Sequence, residues 1–338
     1  MKEKIRLVIT GGSGFIGSQL VRMALDKNYA VMNIDKLSYC SNCIKFNHQN
    51  LIFKKLDLFD SRSLNKILKK FNPDAIIHCA AESHVDNSIK NPNIFIDSNI
   101  TSTVNILNFL RKTKKEIKYI HISTDEVFGS LKKNNKKFNL SSKYDPQSPY
   151  AASKAGSDFF VRSFGNTYNI KYSITNCSNN YGPYQYPEKL IPLTIIKCIQ
   201  KKNIPVYGNG KNIREWIYVK DHCEAIMKIL KKKHPNQTYL IGTKNEKKNI
   251  DIVYAICDYF TAKDKKKFDY RSLITFVKDR KGHDFRYSID YTQTSKNLKW
   301  KPKSSFSKSL EKTIKFYIDN YQKLKKIFPY EKKNNYIW

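Results

Sequence analysis

A glycine-rich turn between a strand and a helix is the strongest constraint on how this chain can fold. Gly11-Gly12-Ser13-Gly14-Phe15-Ile16-Gly17 follows the continuous apolar run Ile5–Thr10 and opens Phe15–Lys27, whose apolar residues recur at helical spacing. Glycines here permit a tight turn, close approach of a pyrophosphate and close packing of helix on sheet. The helix N-terminus then offers its free N–H groups to phosphate. A second strand, Ala30–Ile34, ends in Asp35, eighteen positions beyond Gly17, where a carboxylate can hold an adenosine ribose. Its charge repels a 2′-phosphate, so the cofactor expected is NAD rather than NADP, with Lys36 offsetting part of that repulsion. Asp57-Leu58, after a third strand, is placed to border the adenine; alone it reads equally well as a strand-end turn.

The alternation continues. Leu51–Leu56, Ala75–Cys79, Ile117–Ile122 and Tyr172–Asn176 read as strands, and Ser61–Lys70, Thr101–Lys112 and Pro149–Tyr168 as helices. Repeated βαβ units predict a doubly wound, Rossmann-like parallel sheet with helices on both faces. After about Asn179 the regularity stops, and Pro183, Pro187, Pro192, Pro205, Gly208 and Gly210 mark loops between short elements. The expected organisation is an NAD-binding domain over residues 1–178 and a smaller α/β substrate-binding domain over 179–338. A return to the main sheet is expected within about 212–243, with Ile213–Val219 and Ala225–Leu230 as the candidates.

The formal net charge of +33 rests on lysine, since only nine of the 62 basic residues are arginine. The lysines lie in scattered runs such as Lys69-Lys70, Lys114-Lys115 and Lys265 to Lys267. That pattern reads as a solvated surface within a general bias toward Lys, Asn and Ile, and no specific nucleic-acid partner is expected. No apolar run is long enough for a membrane span. No basic leader with an apolar core precedes the first strand, which predicts a cytoplasmic protein. Cys40 and Cys43 form a lone C-x-x-C without a second ligand pair, so no metal is expected. Cys79, Cys177, Cys198 and Cys257 read as core fillers.

Tyr150 and Lys154, four apart, share one face of a helix. Tyrosine is a poor base at neutral pH, and a neighbouring ammonium stabilises its phenolate. Pro149 sits in the first helical turn, where a missing N–H costs little. The strand before this helix ends in Ser123-Thr124, whose hydroxyl can hold a substrate. Following the glycine turn, Thr124, Tyr150 and Lys154 resemble the trio of a short-chain dehydrogenase/reductase. Asp125 and Glu126 come next. Adjacent carboxylates at a strand end often only cap a turn, but beside a nicotinamide two carboxylates in different environments can serve as acid and base. Simple dehydrogenation or epimerisation does not need them; removal of water does.

On these residues the chain resembles the dTDP-glucose 4,6-dehydratases of the extended short-chain dehydrogenase/reductase superfamily. The matching stretches include Gly11–Gly17, Asp35-Lys36-Leu37-Ser38, Ala80–Asp86, Ser123–Val127, Ser148–Lys154, Cys177–Gln185, Glu188–Pro192, Val206–Gly208, Arg214–Trp216 and Asp279–Asp284. The resemblance implies oxidation at C4 with Tyr150 as base, loss of the C5 proton to Glu126, and protonation of the departing C6 hydroxyl by Asp125. Hydride then returns from NADH to C6, giving a 4-keto-6-deoxy sugar nucleotide of the kind that feeds rhamnose.

The same resemblance places Ala80, Ala81, Ser98 and Asn180 with the glycines, Asp35 to Ser38, Asp57, Leu58, Tyr150 and Lys154 around NAD. It assigns Ser83, His84, Thr124, Asn179, Lys189, Leu190, Val206, Tyr207, Arg214, Asn249, Arg280 and His283 to the sugar nucleotide. It also implies a homodimer in which Thr101–Lys112 and Pro149–Tyr168 pair across a two-fold axis. Lys281 stands where the family usually has proline. The alternatives are a UDP-glucose 4,6-dehydratase or another sugar-nucleotide epimerase or dehydratase sharing the Tyr/Lys pair.

Overall fold

The computed structural model describes residues 4–41, 47–232 and 236–327; Cys43, and with it the C-x-x-C pair, lies outside them. In chain order the first part contains β1 (Arg6–Thr10), α1 (Phe15–Asp26), β2 (Ala30–Asp35), β3 (Leu51–Lys55), α2 (Ser61–Phe71), β4 (Ala75–His78), α3 (Val85–Lys90) and α4 (Pro92–Phe95). A π-helical stretch, Ile96–Thr101, runs straight into α5 (Ser102–Lys112), so the helix expected at Thr101 begins on a backbone already wound. Next come β5 (Lys118–Thr124), a 3₁₀ turn at Asp125–Phe128, α6 (Pro149–Tyr168), β6 (Tyr172–Cys177), β7 (Asn179–Tyr181), α7 (Leu190–Gln200), β8 (Ile204–Tyr207), β9 (Ile213–Tyr218), α8 (Val219–Leu230), β10 (Gln237–Ile241) and β11 (Glu246–Lys248). The chain closes with α9 (Asn249–Lys263), β12 (Ile274–Val277), α10 (Thr292–Leu298), α11 (Phe306–Asp319) and α12 (Tyr321–Ile327).

Seven strands form one parallel sheet in the order β10-β6-β5-β4-β1-β2-β3. The order reverses beside β1, which opens a crevice at the carboxyl ends of β1 and β4. The inner strands are buried on both faces, which explains their continuous apolar runs. Leu7, Val8 and Ile9 of β1 are fully buried, each worth about 1.5–3 kcal/mol. Leu7 and Ile9 face the layer of α1 and α8, and Val8 faces that of α2 and α5. Ser148 caps α6, its hydroxyl accepting from the Ala151 N–H at 3.1 Å, with Pro149 at the first helical position.

The segment that rejoins the main sheet is β10, beside β6. Ile213–Tyr218 instead pairs with β7 and β11 in a separate three-stranded sheet, and Ala225–Leu230 lies within α8. The latter's apolar residues at helical spacing, such as Ala225, Ile226 and Ile229, pack on the sheet rather than extend it. The parallel pair β8–β12 and helices α7, α9 and α11 enclose a second core around Ile195, Val253 and Ile314.

Candidate active site

The crevice is an open cleft lined by both the glycine turn and the ends of β2 and β4. Gly11 turns there with φ +68°, and a Cβ on it would lie 2.6 Å from the Ala80 nitrogen. A Cβ on Gly17 would collide with the Gly11 carbonyl, so the turn and the first turn of α1 can meet only as glycine. Gly14, Asp35, Lys36, Ser38, Asp57, Leu58, Ala80, Ala81 and Ser98 line the same cleft. Phe15 and Ile16 begin α1 and pack against the core below it. Leu37 is absent from the wall; it takes φ +59° and donates its N–H to Asp35 at 2.8 Å. Asp57 both borders the cleft and accepts from the Phe59 N–H at 3.0 Å, so the two readings of that residue coexist.

Asp35 accepts from the Ser13 N–H at 2.9 Å and from the Ser41 hydroxyl at 3.1 Å, which fixes its carboxylate at the tip of β2. These residues fit a dinucleotide: a backbone cradle closed to any side chain, an open cleft, and an oriented carboxylate. Cys79, expected in the core, lies on the cleft wall with Cys40, whereas Cys177, Cys198 and Cys257 are buried as expected.

The groups expected to react lie at the end of β5, on the 3₁₀ turn after it and in the first turns of α6. Tyr150 is buried, its ring seated on Val85 and Phe95. Burial, followed by the charge of Glu126, pushes its phenol well above the usual value, while a hydrogen bond with Thr124 opposes. Thr124 also binds the turn that follows it, accepting from the Glu126 N–H at 3.3 Å and donating to Asp125 at 3.4 Å. Asp125 is 1 % exposed, and one of its carboxyl oxygens is buried without a partner. Burial, then the charges of Glu126 and Glu215, raise its carboxyl well above the ordinary range. Lys154 is buried against His121, 3.5 Å away.

The residues expected around the sugar nucleotide come from both parts of the chain. Lys189 donates to the Ser83 carbonyl at 2.8 Å. His84 caps α3 with its ring 4.0 Å from both Asp86 and Glu188, and burial pulls its pKa down to about 4, so the ring is neutral. Leu190 begins α7. Val206 is buried in β8, and the Tyr207 hydroxyl donates to Asp86 at 2.8 Å across the opening. Arg214 lies over the Tyr287 ring at 4.3 Å and donates to the Asp284 carbonyl at 2.9 Å. His283 pairs with Asp279 at 2.6 Å; burial, then the charge of Arg280, lowers it to about 4. Buried polar atoms of Asn179, Asn249 and Arg280 have no protein partner. Buried polar groups are normally paired, so each of these atoms retains unused hydrogen-bonding capacity.

Some contributors were not singled out from the sequence. The buried amide of Asn99, in the π-helical stretch, accepts from the Glu82 N–H at 2.8 Å and donates to Ser153 at 2.8 Å. It thereby ties the cleft wall to α6. Glu82 in turn pairs with Lys36 at 3.1 Å. Tyr39 donates to Glu188 at 3.0 Å, joining the loop after β2 to the loop before α7. Asn180, expected near the cofactor, is held by His222 at 2.9 Å. No spacing rule marks any of these pairs, because each partner is distant in sequence.

Residues 8–313 match the sequence model of the GDP-mannose 4,6 dehydratase family. The chain is 42% identical over 337 residues to a dTDP-glucose 4,6-dehydratase of Shigella flexneri, spanning 94% of this chain and 93% of that one. It is 41% identical over 332 residues to the enzyme of that name from Neisseria meningitidis, with 93% and 94% covered. The crystal structure of DesIV, a dTDP-glucose 4,6-dehydratase from Streptomyces venezuelae with NAD and TYD bound, superposes with a TM-score of 0.88 at 37% identity. That match covers 95% of this chain and 99% of the other. A UDP-glucose 4-epimerase from Thermotoga maritima, at 24% identity and TM-score 0.84, covering 93% of this chain and 99% of that one, shares the fold.

Proposed function

The chain belongs to the GDP-mannose 4,6 dehydratase family, and from that premise we propose that it is a dTDP-glucose 4,6-dehydratase, a lyase producing dTDP-4-keto-6-deoxyglucose and water. The observation that carries this reading is the pair Asp125 and Glu126 beside Tyr150, one carboxyl buried and raised, the other partly exposed. An epimerase has no step for such a pair; an elimination needs both an acid and a base.

NAD, held by the glycine turn, Asp35 and the walls of the cleft, supplies reversible hydride transfer when bound. Tyr150 takes the proton of the C4 hydroxyl, and Thr124 orients that hydroxyl. Lys154, on the same face of α6, provides the positive charge that a phenolate requires. Once C4 is a ketone the C5 proton is acidic, and Glu126 is placed to remove it. Asp125, protonated by its surroundings, donates to the leaving C6 hydroxyl. Arg214, Arg280 and Lys189 offer cationic donors for the diphosphate, and Asn179 and Asn249 offer unpaired amide oxygens to the nucleoside and sugar.

The same reading divides the chain into an NAD-binding part, residues 1–178 with β10 and α8 from about 212–243, and a sugar-nucleotide part over the remainder of 179–338. It places the enzyme in the cytoplasm as a homodimer, supplying deoxy sugars such as rhamnose. Exposed Phe159, Phe160 and Tyr168 on α6 support a dimer face there. The deciding experiment offers dTDP-glucose, UDP-glucose and GDP-mannose to the purified protein and weighs each product. Loss of one water from dTDP-glucose is expected; a product of unchanged mass with inverted C4 would overturn the reading in favour of an epimerase.

A further inference from the structure

Behind the reacting groups, Lys154 belongs to a buried ionic cluster whose other members none of the steps above uses. Lys154 is 3 % exposed, and Asp158, one turn along α6, is 0 %. Residues four apart on a helix share a face. His121 of β5, also fully buried, touches both: its Nε2 is 3.5 Å from Lys154 Nζ and 3.4 Å from Asp158 Oδ1. Its Nδ1 is 3.1 Å from the Tyr119 hydroxyl. The second Asp158 oxygen accepts from Ser123 Oγ at 2.9 Å, Tyr144 Oη at 2.8 Å and Asn176 Nδ2 at 3.1 Å. Arg162, a further turn along, donates to the Tyr144 hydroxyl at 2.9 Å. Three donors converging on one oxygen suit a carboxylate anion.

A lone ammonium so deeply buried would shed its proton. Burial is the strongest influence on Lys154 and pulls it down; Asp158 is the strongest opposing one. The other groups facing this pair come from every neighbouring element. His78 and Cys79 lie on or at the end of β4, Tyr119 on β5, Cys177 on β6, Tyr144 in the loop before α6, and Tyr150 and Arg162 on α6. Burial holds the rings of His78 and His121 neutral. It also raises the thiols of Cys79 and Cys177 and the phenols of Tyr119 and Tyr144. Burial raises the Asp158 carboxyl itself, and the charge of Lys154 and the hydrogen bonds from Tyr144, Ser123 and Asn176 oppose it in favour of the anion.

We propose that Asp158 is a positioning residue for the oxidation step, holding Lys154 as an ammonium ion with His121 between them and so supporting Tyr150 as a phenolate. The inference rests on Tyr150 being the base. It is tested in the NAD-loaded protein with Asp158→Asn and, as a second truncation, Asp158→Ser, so that failure of one variant to fold leaves the other to be read. The measurement is the ultraviolet phenolate absorbance that disappears in Tyr150→Phe. Loss of the charge at 158 should raise the midpoint of that titration by roughly one to three pH units. The acid limb of kcat/KM should move to higher pH with it, with activity recovered in alkali. In a Lys154→Arg background the charge no longer depends on a carboxylate, and adding Asp158→Asn should leave the midpoint where it was. An unmoved midpoint in the single variants, with kcat lowered equally at every pH, would overturn the proposal and leave Asp158 a packing role. The phenolate titration needs no sugar nucleotide, so it decides this point even if dTDP-glucose is not dehydrated.

Discussion

Asp125 and Glu126 are neighbours in the chain and differ in their surroundings. The Asp125 side chain turns into the protein, 1 % exposed, where burial and the charges of Glu126 and Glu215 raise its carboxyl well above the ordinary range. Glu126 is only partly covered, and its N–H is anchored on Thr124. The 3₁₀ turn at Asp125–Phe128 gives two adjacent carboxyls different surroundings, because consecutive residues in so tight a turn point in different directions; in the proposed mechanism one donates a proton and the other accepts one. Each carboxyl can therefore be removed with a different consequence.

Tyr150→Phe should abolish the first oxidation, and no NADH absorbance should develop when substrate is added. Glu126→Gln should let NADH form at C4 and then stall, with turnover lowered on the order of 10²- to 10⁴-fold. Stopped-flow absorbance over a single turnover distinguishes the two. Formation of the 4-keto-6-deoxy product at the normal rate by Glu126→Gln would remove that residue from the mechanism.

Much of this architecture was legible in the sequence, and the reasons are local. The bounds of α6 coincide with those read from Pro149–Tyr168 because Ser148 and Pro149 mark its start and Asn169, in a left-handed conformation, its end. The glycine turn was legible because close approach excludes every other residue. What escaped depends on partners far along the chain. β10 is five residues of mixed polarity whose place in the sheet is set by pairing with β6. Ile213–Tyr218 has the same local character as a main-sheet strand, yet it pairs with β7 and β11. Cys79 looked like a core residue because it ends a buried strand, but strand ends in a doubly wound sheet are where the ligand cleft opens. Asn99 carries no signature at all; its role exists only once Glu82 and Ser153 are brought to it.

Glu215 should give the fold a measurable pH dependence. It is fully buried in β9, where it accepts from the N–H groups of Thr243 and Ile289 and from the Ser288 hydroxyl. Burial raises its pKa to about 7, above the value of about 4.3 expected in the unfolded chain. The folded state therefore binds this proton more tightly. Its contribution is complete below the unfolded value and is lost as pH rises through about 7. The loss is about 4 kcal/mol at most. Denaturant unfolding of the wild type and Glu215→Gln between pH 4 and 8 should show a difference in stability that changes across that window; a constant difference would contradict the assignment.

The cofactor preference should reside in Asp35. The purified protein should release NAD on denaturation, since the reaction regenerates it at each turnover. Asp35→Asn keeps an acceptor for the Ser13 N–H and the Ser41 hydroxyl but loses the charge. A hydrogen bond to a charged group is worth about 1.5–3 kcal/mol, so NAD affinity should fall roughly tenfold to a hundredfold, with the penalty against NADP reduced. Titration of the cofactor-stripped protein with each nucleotide measures both. Equal affinities for NAD and NADP in the wild type would show that Asp35 does not read the ribose.

Selectivity for the nucleotide should be real but modest, with dTDP-glucose preferred over UDP-glucose. Thymine and uracil present the same hydrogen-bonding edge, so a site can separate them only at the 5-methyl group and at the ribose 2′-position. One methyl in an apolar pocket is worth about 1–3 kcal/mol, or on the order of tenfold to two-hundredfold. A buried group built to bind a 2′-hydroxyl would do more, and in the opposite direction, because dTDP would leave it unpaired. The unpartnered oxygens of Asn179 and Asn249 are acceptors that could act so. If either served the 2′-hydroxyl, UDP-glucose would win by a margin that a methyl contact cannot overcome. The general positive charge acts on both diphosphates alike and drops out of the ratio. Values of kcat/KM for the two sugars at one ionic strength therefore report the base and ribose contacts alone. A preference for UDP-glucose would transfer the substrate assignment while leaving Tyr150, Glu126 and Asp125 in their roles, since the sugar they act on is the same.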